Sequence, residues 1–102
     1  MQIIDIKHIS TGQTRSDGRY PGRIGCEVEF CFEAPCVGLC MFLSYVKDNQ
    51  GNPKSGILRT SIVRNIERTE DVLIVTTMNS IYCFKIEKGR GKNEKISNQG
   101  LW

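Results

Sequence analysis

Short apolar runs separated by turn-forming clusters are the feature of this chain that most restricts its fold. The runs span about six to eleven residues, are rich in Ile, Val, Phe and Thr, and lie between clusters of Gly, Pro, Asn and Asp. No window keeps the period of an amphipathic helix. The pattern therefore predicts an all-β protein, and 102 residues are enough for one domain and too few for two.

Six strands are predicted within residues 1–88. They are Ile3–Ile9, Ile24–Phe32, Val37–Lys47, Ile57–Ile66 and a closing hairpin in which Val72, Ile74 and Thr76 oppose Tyr82, Phe84 and Ile86 around a turn at Met78-Asn79-Ser80. Alternation places Phe30, Phe32 and Leu39 in the core. Short connections in chain order favour an antiparallel barrel or curved sheet of the SH3-like or Sm-like kind, with a sandwich as the alternative.

Positive charge is concentrated in two segments of this mildly basic chain, whose formal net charge is +3. Residues 7–23 carry four basic side chains against one acidic, and residues 88–102 carry the same balance. Residues 89–102 lose the apolar pattern and are predicted to form a flexible basic tail. The charge is too small to identify a nucleic-acid binder by itself.

Five cysteines stand out in the composition, but their spacing does not favour a metal site. No Cys-x-x-Cys pair occurs, and the odd separation of Cys26 and Cys31 sends their side chains to opposite faces of a strand. Cys31 and Cys40 are predicted to lie opposite or diagonal to each other on an outer face, which leaves a reversible disulfide open. The odd number of cysteines and the absence of a signal segment predict free thiols in a reducing cytoplasm.

Catalysis and membrane insertion find no support in the sequence. The single histidine, His8, has no carboxylate constellation around it, so we expect neither an enzyme nor a cofactor. No apolar run approaches the roughly 18–20 residues of a membrane span. The remaining function class is a binding module.

A second apolar face is the main candidate for a binding surface. If the even-numbered residues of the first strand of the closing hairpin fill the core, then Leu73, Val75 and Ile81 point outward, as does Phe42 on an earlier strand. Burial of these side chains inside the barrel is the purely structural explanation. The functional explanation is that they contact a partner protein, or a second copy of the chain to give a homodimer. The rim residues Arg19 and Arg23 are expected to steer the encounter.

Nucleic-acid or nucleotide binding is the alternative function. The guanidinium groups of Arg15, Arg19 and Arg23 are candidates for holding phosphate, and Tyr20 is a candidate for stacking on a base. Arg90 and Lys92 of the tail extend this basic set. No phosphate-loop or dinucleotide motif supports it.

Two stretches of the sequence resemble short uncharacterised proteins encoded by bacteriophages and mobile elements. They are Leu58–Val63 followed by Val75–Tyr82, and Tyr20-Pro21-Gly22-Arg23-Ile24-Gly25. The resemblance covers the last three strands and the start of the second, and it carries no catalytic residues. It implies a small accessory protein, such as an inhibitor of host defence, that acts by binding a protein in an infected cell.

Overall fold

The apolar runs form six antiparallel strands in the computed structural model, which describes residues 1–32 and 34–86. The strands are β1 (Gln2–His8), β2 (Glu27–Phe30), β3 (Cys40–Lys47), β4 (Ile57–Arg68), β5 (Val72–Thr77) and β6 (Ser80–Lys85), and one helical turn, α1 (Tyr20–Arg23), precedes β2. The predicted six-stranded all-β fold is confirmed. The predicted basic tail, including Arg90 and Lys92, lies outside the described residues.

The strands follow chain order around a ring-like, strongly curved sheet. Each strand pairs with the next, and β6 returns to β1 from Gln2↔Lys85 to His8↔Ser80. β1 meets β2 at the single register pair Gln2↔Glu27. Register shifts interrupt four of the strand pairs, and such bulges increase local twist and bending. The bends let a short meander bring its first and last strands together.

A single apolar core fills the inside of this sheet. Phe84 is fully buried, stacks on Tyr82 with ring centroids 6.2 Å apart, and meets the edge of Phe30 at 6.4 Å. Burial of each large side chain contributes roughly 1.5–3 kcal/mol. All strands supply fully or almost fully buried residues: Ile3, Ile6, Val28, Leu43, Val63, Val75 and Phe84.

The sequence-based prediction of which β5 side chains face the core is wrong. Leu73 and Val75 are 5% and 0% exposed, whereas Ile74 and its even-numbered neighbours are only half-buried. The connecting turn has two residues, so Val75 pairs with Tyr82, whereas the predicted three-residue turn would pair Thr76 with it. A shift of one residue moves a whole strand face from one side of the sheet to the other. Leu73 and Val75 are therefore core residues, unable to anchor a partner in the folded protein.

The predicted burial of Phe32 and Leu39 is also wrong. Phe32 is 75% exposed and Leu39 is 62% exposed. β2 ends at Phe30 and β3 begins at Cys40, so both side chains belong to the connecting loop and escape the alternation of the strands. The sheet thus leaves large apolar side chains in solvent at one end of the β2–β3 hairpin.

Candidate binding groove

An apolar groove of about 970 Å³ lies at the end of the β2–β3 hairpin. None of the described residues that line it is charged. Its volume is at the upper end of the roughly 300–1,000 Å³ that ligand pockets occupy. We call it the hairpin groove; it is lined by Phe30, Cys31, Phe32, Ala34, Pro35, Cys36, Leu39, Cys40, Met41 and Phe42.

A tight turn fixes one wall of the hairpin groove. The amide of Leu39 donates to the carbonyl of Cys36 at 3.1 Å, and Gly38 has a φ of 97°, which side-chain-bearing residues rarely adopt. The turn is also tied to β4, because the Gly38 amide donates to the Val63 carbonyl and the Val63 amide donates to the Leu39 carbonyl, both at 2.9 Å. Backbone hydrogen bonds therefore hold Val37 and Leu39 in their exposed positions.

Two phenylalanines form another part of the lining. The rings of Phe32 and Phe42 meet edge to face, with centroids 5.8 Å apart and planes at 81°. Such aromatic pairs contribute about 0.5–1.5 kcal/mol beyond the burial of their area. Phe42, predicted from the sequence as a partner anchor, is half-buried on the outer face of β3 and lines the groove. Phe32 was missed because its place in the alternating pattern predicted a core residue.

Three of the five cysteines line the groove, and all five are free. Cys36 is exposed, while Cys31 and Cys40 are half-buried. The Cys31 amide donates to the Phe42 carbonyl at 3.1 Å, which places Cys31 opposite Phe42 and diagonal to Cys40. Cys26 and Cys83 are buried elsewhere, and burial raises the pKa of both thiols.

Exposed apolar side chains extend the groove onto neighbouring segments. Ile62 is 40% exposed and lies opposite Cys40 in the β3–β4 pair, which places it next to the groove. The amide of Met78, itself 52% exposed, donates to the Ile62 carbonyl at 3.0 Å. Eight large apolar residues are exposed in the described chain, and five of them lie in this region: Phe32, Val37, Leu39, Ile62 and Met78.

The other residues predicted for partner binding do not line the groove. Ile81 is half-buried on β6, where it pairs with Lys7 and Thr76. Arg19 is exposed in the loop before α1, and Arg23 lies at the end of α1 with its guanidinium 5.1 Å from the Tyr20 ring centre. The structure therefore brings together one of the predicted anchors, Phe42, with apolar residues that the sequence placed in the core.

Arg15, predicted for phosphate binding, is occupied by contacts within the chain. Its guanidinium donates to both carboxylate oxygens of Asp17, at 2.8 and 3.1 Å, and to the buried Ser80 hydroxyl at 2.7 Å. It also lies 4.0 Å from the centre of the Tyr20 ring, a cation–π contact. The hydrogen bond from Arg15 lowers the pKa of the Asp17 carboxyl. Arg15 thus joins the loop between β1 and α1 to the β5–β6 turn.

We expect Arg15→Ala to lower the free energy of unfolding by about 1–3 kcal/mol, because the buried Ser80 hydroxyl loses a charged partner. Arg19→Ala is the control. Arg19 is exposed, and such surface substitutions usually change stability by less than about 0.5 kcal/mol. Urea unfolding measures both variants, and equal stability of the two would contradict the structural role of Arg15.

The described residues offer no metal site. Within residues 1–32 and 34–86, no group of three or more His, Cys, Asp or Glu is placed to hold a metal ion. None of the helices in that part of the chain is long and apolar enough to cross a membrane. Comparisons with protein-family models, curated proteins and solved structures found no match.

Proposed function

We propose that this chain is a non-enzymatic protein-binding module whose hairpin groove receives apolar side chains of a partner protein. One observation carries the proposal: a groove whose described lining residues are all uncharged and whose wall residues Phe32 and Leu39 are 75% and 62% exposed. Contiguous exposed apolar surface of this kind marks interaction sites on soluble domains. Buried aromatic anchors in pockets are also the usual centres of binding energy at protein interfaces.

The energetics favour an occupied groove. Fully burying one large apolar side chain gains roughly 1.5–3 kcal/mol, and Phe32 and Leu39 keep most of their surface in water. The turn at Gly38 is already fixed by hydrogen bonds to β4, so little backbone ordering is needed when a partner binds. A partner that covers both residues therefore gains the burial at a small conformational cost.

The biological setting of the proposal comes from the sequence. The resemblance to phage and mobile-element proteins implies an accessory protein or an inhibitor of host defence, and the free thiols fit a reducing cytoplasm. Nucleic-acid binding stays the alternative, although the Arg15 and Tyr20 side chains it would use already contact each other. A second copy of the chain is the other occupant predicted from the sequence.

Thiol protection tests the proposal, because the groove carries its own reporters. The tagged protein is used to capture its partner from a lysate of the cell that expresses it, and iodoacetamide labelling of each cysteine is followed by mass spectrometry. We expect labelling of Cys36 to slow at least about fivefold in the complex, since covered thiols lose access to the reagent. Cys26 and Cys83, already buried with raised pKa, serve as internal references.

Unchanged labelling of Cys36 in an intact complex would contradict the proposal. Protection that rises with the concentration of the isolated protein would identify a second copy of the chain as the occupant. Capture of a protein without protection of the groove thiols would place the binding surface elsewhere.

A further inference from the structure

We infer that the partner segment that occupies the hairpin groove is an extended peptide with apolar anchors flanked by acidic residues. This inference rests on the proposed function and adds the chemistry of the occupant. It depends on three observations: the uncharged side chains of the described lining residues, the position of two arginines along the β4 border of the groove, and the ion pairs of the described residues.

The lining determines which side chains enter the groove. The described residues of the lining present aromatic rings, thiols and aliphatic groups, and none of them is charged. A charged side chain placed there would lose hydration without a partner, which costs several kcal/mol. The inserted side chains are therefore aromatic or aliphatic.

The strand register places Arg59 beside the groove. Arg59 lies opposite Phe42 in the β3–β4 pair, and paired residues of adjacent strands share a face of the sheet. Phe42 is a wall of the groove, so Arg59 borders it on the outer face. Arg64 follows Val63, whose amide and carbonyl are hydrogen-bonded to Leu39 and Gly38, so the Arg64 backbone lies beside the turn.

Both arginines are available to a partner. Arg59 and Arg64 are exposed, and no ion pair given for residues 1–32 and 34–86 includes them. The β4 border is thus cationic, and a segment lying along it gains from carboxylates near its apolar anchors.

An extended conformation follows from the spacing of the arginines. Arg64 lies five positions after Arg59 on one strand, a length of at most roughly 16 Å. An extended segment of about five residues spans this length, so one carboxylate at each end can reach an arginine. The apolar side chains between the two carboxylates then lie over Phe42 and Leu39.

Selection from a random twelve-residue peptide library displayed on phage tests the inference. We expect the enriched peptides to carry aromatic or aliphatic anchors with at least two Asp or Glu. Synthetic copies should bind Arg59→Glu/Arg64→Glu about tenfold more weakly than the unmodified protein, since each surface charge pair contributes up to about 1 kcal/mol. Arg68→Glu, at the far end of the same strand, is the control and should change the affinity less than about twofold.

The outcomes separate the inference from the proposed function. Peptides without acidic residues that lose binding to Leu39→Ser but not to the double arginine variant would overturn the inference and leave the binding groove standing. Peptides whose binding is unchanged by Leu39→Ser, or a selection without enrichment, would overturn both.

Discussion

Replacing Val75 by aspartate is expected to unfold the domain, whereas the same substitution at Ile74 should leave it folded. Val75 is fully buried in the core, and an unpaired carboxylate there costs several kcal/mol. The whole stability of a domain of this size is about 5–15 kcal/mol. Ile74 lies half-buried on the other face of β5, where a carboxylate keeps contact with water.

Thermal unfolding followed by circular dichroism measures the difference between these two neighbours. Val75→Asp should show no cooperative transition, and Ile74→Asp should keep one. The reverse order would mean that β5 turns its even-numbered residues inward, as the alternating pattern predicted. It would also return Leu73 and Val75 to the outer surface as candidate anchors.

The number of strands and their type could be predicted because each strand carries a continuous or alternating apolar run between turn residues. The inner face of β5 could not, since Val72, Leu73, Ile74 and Val75 are all apolar and the pattern fits either face equally well. The choice is made by the turn: Thr77 Oγ1 accepts a hydrogen bond from the Ser80 amide at 3.1 Å and donates to the Ser80 carbonyl. These bonds fix a two-residue connection and with it the register.

The candidate site was only partly visible in the sequence. Phe42 was identified because its neighbours in β3 fill the core and leave it outside. Phe32 and Leu39 were assigned to the core, because the apolar alternation continues beyond Phe30, where β2 ends, and already includes residues before Cys40, where β3 begins. Gly38 is the signal that could have shortened the predicted strand Val37–Lys47, since a glycine inside a strand weakens it and Gly38 adopts a positive φ.

Replacing Leu39 by serine is expected to weaken partner binding at least about tenfold without lowering stability. The side chain is 62% exposed, so the folded protein loses little burial when it is shortened. In the complex the same side chain becomes buried, and truncation of such an anchor costs about 1–4 kcal/mol of binding free energy. A tenfold change in the dissociation constant corresponds to about 1.4 kcal/mol.

Ile57→Ser is the matched control for Leu39→Ser. Ile57 is also 62% exposed and also aliphatic, but it begins β4 and does not line the hairpin groove. The two substitutions remove the same chemical type and amount of exposed apolar surface. Any difference between them therefore reports the position of the side chain and not a general change in surface hydrophobicity.

The most direct test of the binding role of the groove is the dissociation constant of the captured partner. It is measured by biolayer interferometry for the unmodified protein and these two variants. We expect Leu39→Ser to bind at least about tenfold more weakly, and Ile57→Ser to bind within about twofold of the unmodified protein. Equal affinities for all three proteins, with all three folded, would contradict the assignment of the hairpin groove as the binding site.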